Sequence, residues 1–348
     1  MTMTPFPLLL KPVGGSCNLN CGYCFYKRHS GGVIDRRVLE RTLETYTALP
    51  FGEKCVTLQG GEPLLAPDWV LDMIDAAPLE VRAVQTNGTL VTRDMARRFA
   101  RRDWLVGVSL DGPPQLNSAR VGTDGKSSFE AAVRGIRHLE AEGAQYNILT
   151  VVSKANVRNP VETYRFLRDN FLTRFHQYIE CTGPDPASAI TGEEWGGFLC
   201  GLFDEWVKRD THEISIRLFD SIMSQLLGRP PTNCTASTHC RHYLVVEHDG
   251  SVYPCDFHVR PDLRLGNVMT DTWEAMSECK TRREFADAKC VGLPAKCGAC
   301  EFRDFCNGDC PRSRNAGSVP VLCEGWHRFY SHALPVFGDL LFSGESPH

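Results

Sequence analysis

The sequence predicts an α/β fold, an incomplete (β/α)6, TIM-like barrel, followed by a cysteine-rich extension. Three observations carry that reading. Over about the first 180 residues, short apolar runs alternate with helical stretches across Gly- or Asn-bearing turns. Polar motifs follow the ends of successive runs. After Pro230-Pro231 the composition shifts to Cys, Gly and short polar turns.

Strands are expected at 8–13, 55–58, 82–85, 105–110, 146–152 and 174–179, and helices at 36–48, 68–76, 93–101, 127–142 and 160–170. Val133, Ile136 and Leu139 show helical spacing in the fourth helix. Such alternation favours parallel strands joined by right-handed helical crossovers. Six units suit an open doubly wound sheet or an incomplete barrel. The barrel is favoured by the placement of the polar motifs. The first cysteines, Gln59-Gly60-Gly61-Glu62-Pro63, Thr86-Asn87-Gly88 and Ser109-Leu110-Asp111-Gly112-Pro113 all follow C-terminal strand ends, where barrels build their sites. A further helix is expected over 193–208, with Thr191 as N-cap and Glu194 completing a capping box. In the extension, 243–247 and 251–253 read as a hairpin around His248-Asp249-Gly250. A terminal helix is expected over 324–334 and a frayed tail over 341–348. The expected domains are 1–230, 231–325 and 326–348.

The chain has 348 residues, with 38 basic against 42 acidic side chains and a formal charge of −4. Nucleic-acid binders usually carry a basic excess, so no nucleic-acid partner is expected. There is no run of about 18 apolar residues and no secretory h-region, so no membrane partner is expected and the cytoplasm is the default. Sixteen cysteines in such a chain are not the framework of a small secreted domain. Grouped thiols in a reducing compartment point to metal.

Cys17-x3-Cys21-x2-Cys24 supplies three soft ligands directly after the first strand. Thiolates of this kind select zinc or iron–sulfur. Zinc wants a fourth protein ligand, for which His29 is the nearby candidate. Three cysteines without a close fourth suit a 4Fe–4S cube with one open iron, shielded by Tyr23, Phe25 and Tyr26. The segment Cys-x3-Cys-x-Tyr-Cys, with Tyr23 inside it, resembles the signature of the radical S-adenosylmethionine enzymes. That resemblance implies a cluster whose open iron chelates S-adenosyl-L-methionine and whose reduction yields a hydrogen-abstracting 5′-deoxyadenosyl radical. Gly60-Gly61-Glu62-Pro63 is similar to the family's motif for the methionine ammonium; alone, it would equally be a turn capping the next helix. Ser109 and Arg120 are similar to residues that hold the methionine carboxylate and ribose region. Where relatives commonly carry a His, this chain reads Pro114-Gln115-Leu116-Asn117, in a loop one residue shorter.

Of the ten cysteines between 234 and 323, eight fall in a pattern that suffices for two further 4Fe–4S clusters, with two tetrathiolate zinc sites as the alternative. Their pattern resembles the SPASM extension of radical enzymes that modify peptides. By that resemblance Cys234, Cys240, Cys255 and Cys310 would hold an inner auxiliary cluster, and Cys297, Cys300, Cys306 and Cys323 an outer one. Cys279 and Cys290 fall outside the ligand pattern and are expected to be free thiols. Cys55, Cys181 and Cys200 are expected to pack as small hydrophobes. A segment so poor in core-forming residues needs metal to hold it.

Narrower matches run from Leu9-Leu10-Lys11-Pro12 through Val252-Tyr253-Pro254-Cys255-Asp256-Phe257. They resemble anaerobic sulfatase-maturating enzymes, which oxidise a Cys or Ser in an unfolded sulfatase segment to Cα-formylglycine. The resemblance implies that Asp256 is the base that deprotonates the substrate, that Tyr26 and Gln59 line the pocket, and that Thr86 and Asn87 shape its floor. A carboxylate beside a net-negative cluster should have its pKa raised. The partners implied are an unfolded sulfatase polypeptide and a flavodoxin or ferredoxin-like electron donor. The alternative reading keeps the fold and three clusters but installs a thioether, a carbon–carbon crosslink or an epimerised residue. Relatives of that kind often carry a leader-recognition domain before the barrel, and about eight residues precede the first strand here. An iron–sulfur electron-carrying module is a third reading, which would not need the methionine-binding motif.

Overall fold

The computed structural model describes residues 5–183, 185–314 and 319–342. The strands are β1 (Leu8–Leu10), β2 (Cys55–Leu58), β3 (Val81–Thr86), β4 (Trp104–Ser109), β5 (Tyr146–Val152), β6 (Phe175–Glu180), β7 (Ser215–Ile216), β8 (Leu244–Val246), β9 (Ser251–Tyr253) and β10 (Gly266–Asn267). The first seven helices are α1 (Arg36–Thr47), α2 (Asp68–Ala76), α3 (Arg93–Arg101), α4 (Phe129–Glu142), α5 (Pro160–Asn170), α6 (Gly192–Trp206) and α7 (Arg217–Leu226). Then follow α8 (Trp273–Ser277), α9 (Lys280–Asp287), α10 (Ala295–Gly298), α11 (Arg303–Cys306) and α12 (Cys323–Phe342).

Two compact units divide the chain. The first draws on Met1–Ser109, Val121–Tyr146 and Cys240–Asp287, the second on Leu110–Arg120, Asn147–His239 and Ala288–His348. In the first unit β1, β2, β3 and β4 pair in parallel in chain order, as consecutive βα units require. β8 extends this run, lying parallel to β1, and carries β9 and then β10 antiparallel beside it. The hairpin between β8 and β9 forms as expected, with Gly250 supplying a φ of 82°. In the second unit β5, β6 and β7 are parallel neighbours.

Local sequence explains the elements that position the site. α1 starts where the Asp35 carboxylate accepts from the Arg37 N–H, and it buries the stripe Val38, Leu39, Leu43 and Tyr46. The expected capping box at Thr191 is present: Glu194 N–H donates to the Thr191 hydroxyl at 3.2 Å, and its carboxylate accepts from Thr191 N–H at 2.8 Å. The first strand stops at Leu10, short of the expected 13, because the chain turns there into the cysteine loop. β7, α7, α8 and α9 lie outside the expected elements; β7 and α8 span two and five residues and α9 is mostly charged, whereas α7 is an apolar helix that buries Leu218, Phe219 and Ile222.

The terminal helix also departs from expectation, running through Pro335 to Phe342 instead of ending at 334. Its aromatic face accounts for this. Phe337 is buried against Phe203, Trp206 and Phe219, and that packing outweighs the backbone bond the proline removes. The expected frayed tail is helical at 341–342; the rest of it lies outside the described residues. α12 crosses α6 at close range. A Cβ on Gly325 would collide with the Gly192 carbonyl and lie 2.8 Å from Gly196 N. Gly325→Val should therefore cost about 1–3 kcal/mol, read as a lowered midpoint in anaerobic thermal unfolding. Among the described residues, no helix is long and apolar enough to cross a membrane.

Candidate active site

In the first unit, the loop after β1 carries Cys17, Cys21, Tyr23 and Cys24, all half-buried. Protein contacts shape this loop. Gly61 N–H donates to the Gly14 carbonyl and Glu62 N–H to the Ser16 carbonyl, both at 2.8 Å. A Cβ on Gly61 would overlap the Ser16 carbonyl, so the second glycine of the motif is required for the loop to approach. From the turn after β3, Asn87 donates to Asn18 at 2.8 Å and reaches Cys17 Sγ at 3.9 Å. Burial pushes the Cys17 thiol pKa up. Phe25, expected to shield the loop, is 43% exposed and packs on Phe257, whereas Tyr26 is buried.

Glu62 is fully buried. One carboxylate oxygen accepts from the Thr86 hydroxyl at 2.7 Å and the Leu64 N–H at 3.1 Å; the other accepts from Asn87 N–H at 2.7 Å. Burial pushes its pKa up to about 7, and the three donors oppose that. Glu62 thus also caps the short 3₁₀ turn Pro63–Leu65, so the plain turn reading and the cofactor reading describe the same side chain. Ser109 ends β4, half-buried.

In the second unit the Arg120 fork faces Asp111. Nε lies 3.0 Å from Oδ2 and Nη2 donates to Oδ1 at 3.1 Å, with both residues buried. The expected carboxylate partner was the methionine moiety; in this structure a protein carboxylate holds that geometry.

Asp256 lies in the first unit, buried in a short 3₁₀ turn after Cys255. The Tyr243 hydroxyl donates to Asp256 Oδ1 at 2.8 Å and lies 3.4 Å from Cys255 Sγ. Lys11 Nζ is 3.9 Å from Asp256 Oδ2, donates to Gln59 Oε1 at 2.9 Å and sits 4.4 Å from the Tyr26 ring centroid. The Tyr26 hydroxyl donates to Glu247, and burial raises the pKa of both groups. The structure thus gathers Tyr26, Gln59 and Asp256 around one ammonium. Lys11, Tyr243 and Glu247 were not singled out from sequence. The available signal was a lysine at the C-terminal end of an apolar strand run.

The four outer thiols, Cys297, Cys300, Cys306 and Cys323, all line one cavity of about 380 Å³ in the second unit, walled by Phe302, Trp326 and Tyr330. Among the described residues no group of three His, Cys, Asp or Glu side chains is placed to hold a single metal ion. Burial, followed by the charge of Asp309, pushes Cys306 up to about 12, and the same two causes act on Cys310. Thiols this reluctant to ionise need the charge of bound metal to become thiolates. Donor type and cavity fit an iron–sulfur cluster.

Of the other ligand candidates, Cys240 and Cys255 belong to the first unit and Cys234 and Cys310 to the second. Among the remaining cysteines, Cys181 and Cys200 are buried, Cys55 is half-buried, Cys279 accepts from Arg282 N–H, and Cys290 is exposed with its thiol donating to the Thr238 carbonyl.

Residues 12–167 match the radical SAM superfamily, and residues 234–301 match the iron–sulfur cluster-binding SPASM domain. The chain is 33% identical to the serine-type anaerobic sulfatase-maturating enzyme of Bacteroides thetaiotaomicron, over 95% of this chain and 90% of the relative. It is 32% identical to the cysteine-type enzyme of Clostridium novyi, over 94% and 95% respectively. The solved structure of native anSMEcpe with bound AdoMet and Cp18Cys peptide superposes with a TM-score of 0.90 at 29% identity, covering 98% of this chain and all of that one. With the cysteine loop, its glycine–glutamate partner and the four-thiol cavity in place, the chain belongs to the anaerobic sulfatase-maturating enzymes, a family of radical SAM proteins with a SPASM domain.

Proposed function

We propose that this chain acts in the cytoplasm, oxidising a Cys or Ser of an unfolded sulfatase segment to Cα-formylglycine, with Asp256 as the base. Its cofactors are S-adenosyl-L-methionine and three 4Fe–4S clusters. Cys17, Cys21 and Cys24 would hold the cluster that binds the methionine group, near Gly60, Gly61 and Glu62. When bound, cluster and cofactor supply hydrogen-atom abstraction from the substrate Cβ. The chain's own task is then proton removal. Asp256 would accept the proton from the substrate thiol or hydroxyl, with an auxiliary cluster supplying the acceptor for the second electron, so the former S–H or O–H bonding pair becomes a double bond to Cβ. Ser then gives the aldehyde directly, and Cys gives a thioaldehyde that water converts to the aldehyde with release of hydrogen sulfide. Its carboxylate is held for this by the Tyr243 hydroxyl on one oxygen and faces the Lys11 ammonium on the other. Tyr26 and Gln59 border the same spot and would line the peptide pocket. Tyr23 would pack beside the N-terminal cluster and Ser109 would serve the cofactor's carboxylate and ribose end, the role also expected of Arg120, whose fork is held by Asp111.

The observation that carries this reading is the buried Asp256 beside Lys11, Tyr26 and Gln59, in a chain that matches sulfatase maturases along nearly its whole length. Electrons would come from a flavodoxin or ferredoxin-like donor. Reconstituted protein given S-adenosyl-L-methionine, a low-potential reductant and a Cys-x-Pro-x-Arg peptide should release 5′-deoxyadenosine and a hydrazide-reactive aldehyde peptide. A thioether or epimerised product in place of the aldehyde would overturn the assignment.

A further inference from the structure

Lys11 is 1% exposed, an ammonium enclosed in the protein at the end of β1. Its backbone N–H is fixed to the Val246 carbonyl of β8 at 2.9 Å. Burying a cation costs several kcal/mol unless charge and hydrogen bonds compensate it, so a position that keeps one has a use for it. The surroundings of Lys11 indicate that use. Nζ donates to the Gln59 amide oxygen, lies over the Tyr26 ring and faces Asp256 Oδ2, the oxygen that Tyr243 leaves open. Cys255 Sγ lies 3.4 Å from the Tyr243 hydroxyl that bonds Asp256, and Cys24 stands two residues before Tyr26, so thiols assigned to two different clusters adjoin the partners of this ammonium.

We propose that Lys11 is a positioning residue for the oxidation: its buried charge sets the orientation of Asp256 and Gln59 and acts on the ligands Cys24 and Cys255 as a fixed cation. This rests on the reading of Asp256 as the base. The Tyr243 hydroxyl bonds one carboxylate oxygen at 2.8 Å and the ammonium faces the other at 3.9 Å, so one hydrogen bond and one charge orient the carboxylate. By occupying the Gln59 oxygen, the ammonium leaves the NH2 end of that amide as the donor offered to substrate. Without the cation, added electrons near Cys24 and Cys255 lose a favourable charge partner, so both clusters become harder to reduce.

The test uses the full chain with all three clusters reconstituted, as wild type, Lys11→Met and Lys11→Arg. Cluster potentials come from redox titration followed by electron paramagnetic resonance, and coupling from the ratio of formylglycine to 5′-deoxyadenosine. In Lys11→Met the potentials of the Cys24 and Cys255 clusters should fall while that of the outer, Cys306 cluster stays in place. The coupling ratio should fall about tenfold. Lys11→Arg keeps the charge and should hold both potentials near wild type, with coupling partly restored. If Lys11→Met does not take up its clusters, Lys11→Gln carries the same comparison. Unchanged potentials together with wild-type coupling in the charge-removing variant overturn the proposal. If wild-type protein makes no formylglycine from any sulfatase peptide, the functional reading fails, and the potentials alone still decide whether Lys11 acts as the fixed cation.

Discussion

Asp256→Asn should lower formylglycine formation by about 10²–10⁴-fold, the loss that follows removal of a positioned general base. The substitution is close to isosteric, and an amide oxygen can still accept the Tyr243 hydroxyl that now bonds Oδ1 at 2.8 Å. All three clusters and cofactor binding should therefore persist, checked by iron content, electron paramagnetic resonance and equilibrium binding of S-adenosyl-L-methionine. Hydrogen-atom abstraction does not need the carboxylate. Deoxyadenosine release should outlast aldehyde formation, and the product peptide is the deciding readout. Formylglycine at the wild-type rate in this variant would remove Asp256 from the role of base.

Replacing Cys17, Cys21 and Cys24 together by Ala should lower iron from about 12 to about 8 per chain and abolish deoxyadenosine release. The loop itself should survive. Its shape depends on the Gly61–Gly14 and Glu62–Ser16 backbone bonds and on the tie from Asn87 to Asn18, none of which uses a thiol. The variant should thus remain soluble and retain the other two clusters, seen as the remaining iron and sulfide. Stoichiometric zinc without labile sulfide in the wild type would contradict the whole cluster assignment.

The alternation of short apolar runs and helices was legible because each element follows a local rule. Cys55–Leu58, Tyr146–Val152, Asp68–Ala76, Arg93–Arg101 and Pro160–Asn170 form over the ranges the pattern marks out. Local rules failed where packing overrode them. Pro335 should have ended α12, yet Phe337 and its aromatic partners on α6 and α7 keep it helical. The site shows the same division. Cysteine spacing and the Gly60-Gly61-Glu62 motif are linear signals, readable without a fold. Lys11, Tyr243 and Glu247 lie far apart in the chain or beside ordinary strand residues, and only the pairing of β1 with β8 brings them together. Arg120 was legible only through the family resemblance, and its bond to Asp111 depends on a loop whose course the sequence does not reveal.

One wall of the outer cysteine cavity is Trp326, whose indole N–H donates to Asp309 at 3.0 Å and whose ring lies 5.6 Å from that of Trp195. Iron–sulfur clusters absorb broadly across the near ultraviolet and visible range, where tryptophan emits. A cluster seated against this ring would drain its excited state, and Trp195, close enough to pass excitation to it, would be dimmed in turn. The chain has six tryptophans. The fold thereby gives the protein an optical gauge of its own: its intrinsic emission should brighten as the outer cluster is lost, without any label being attached.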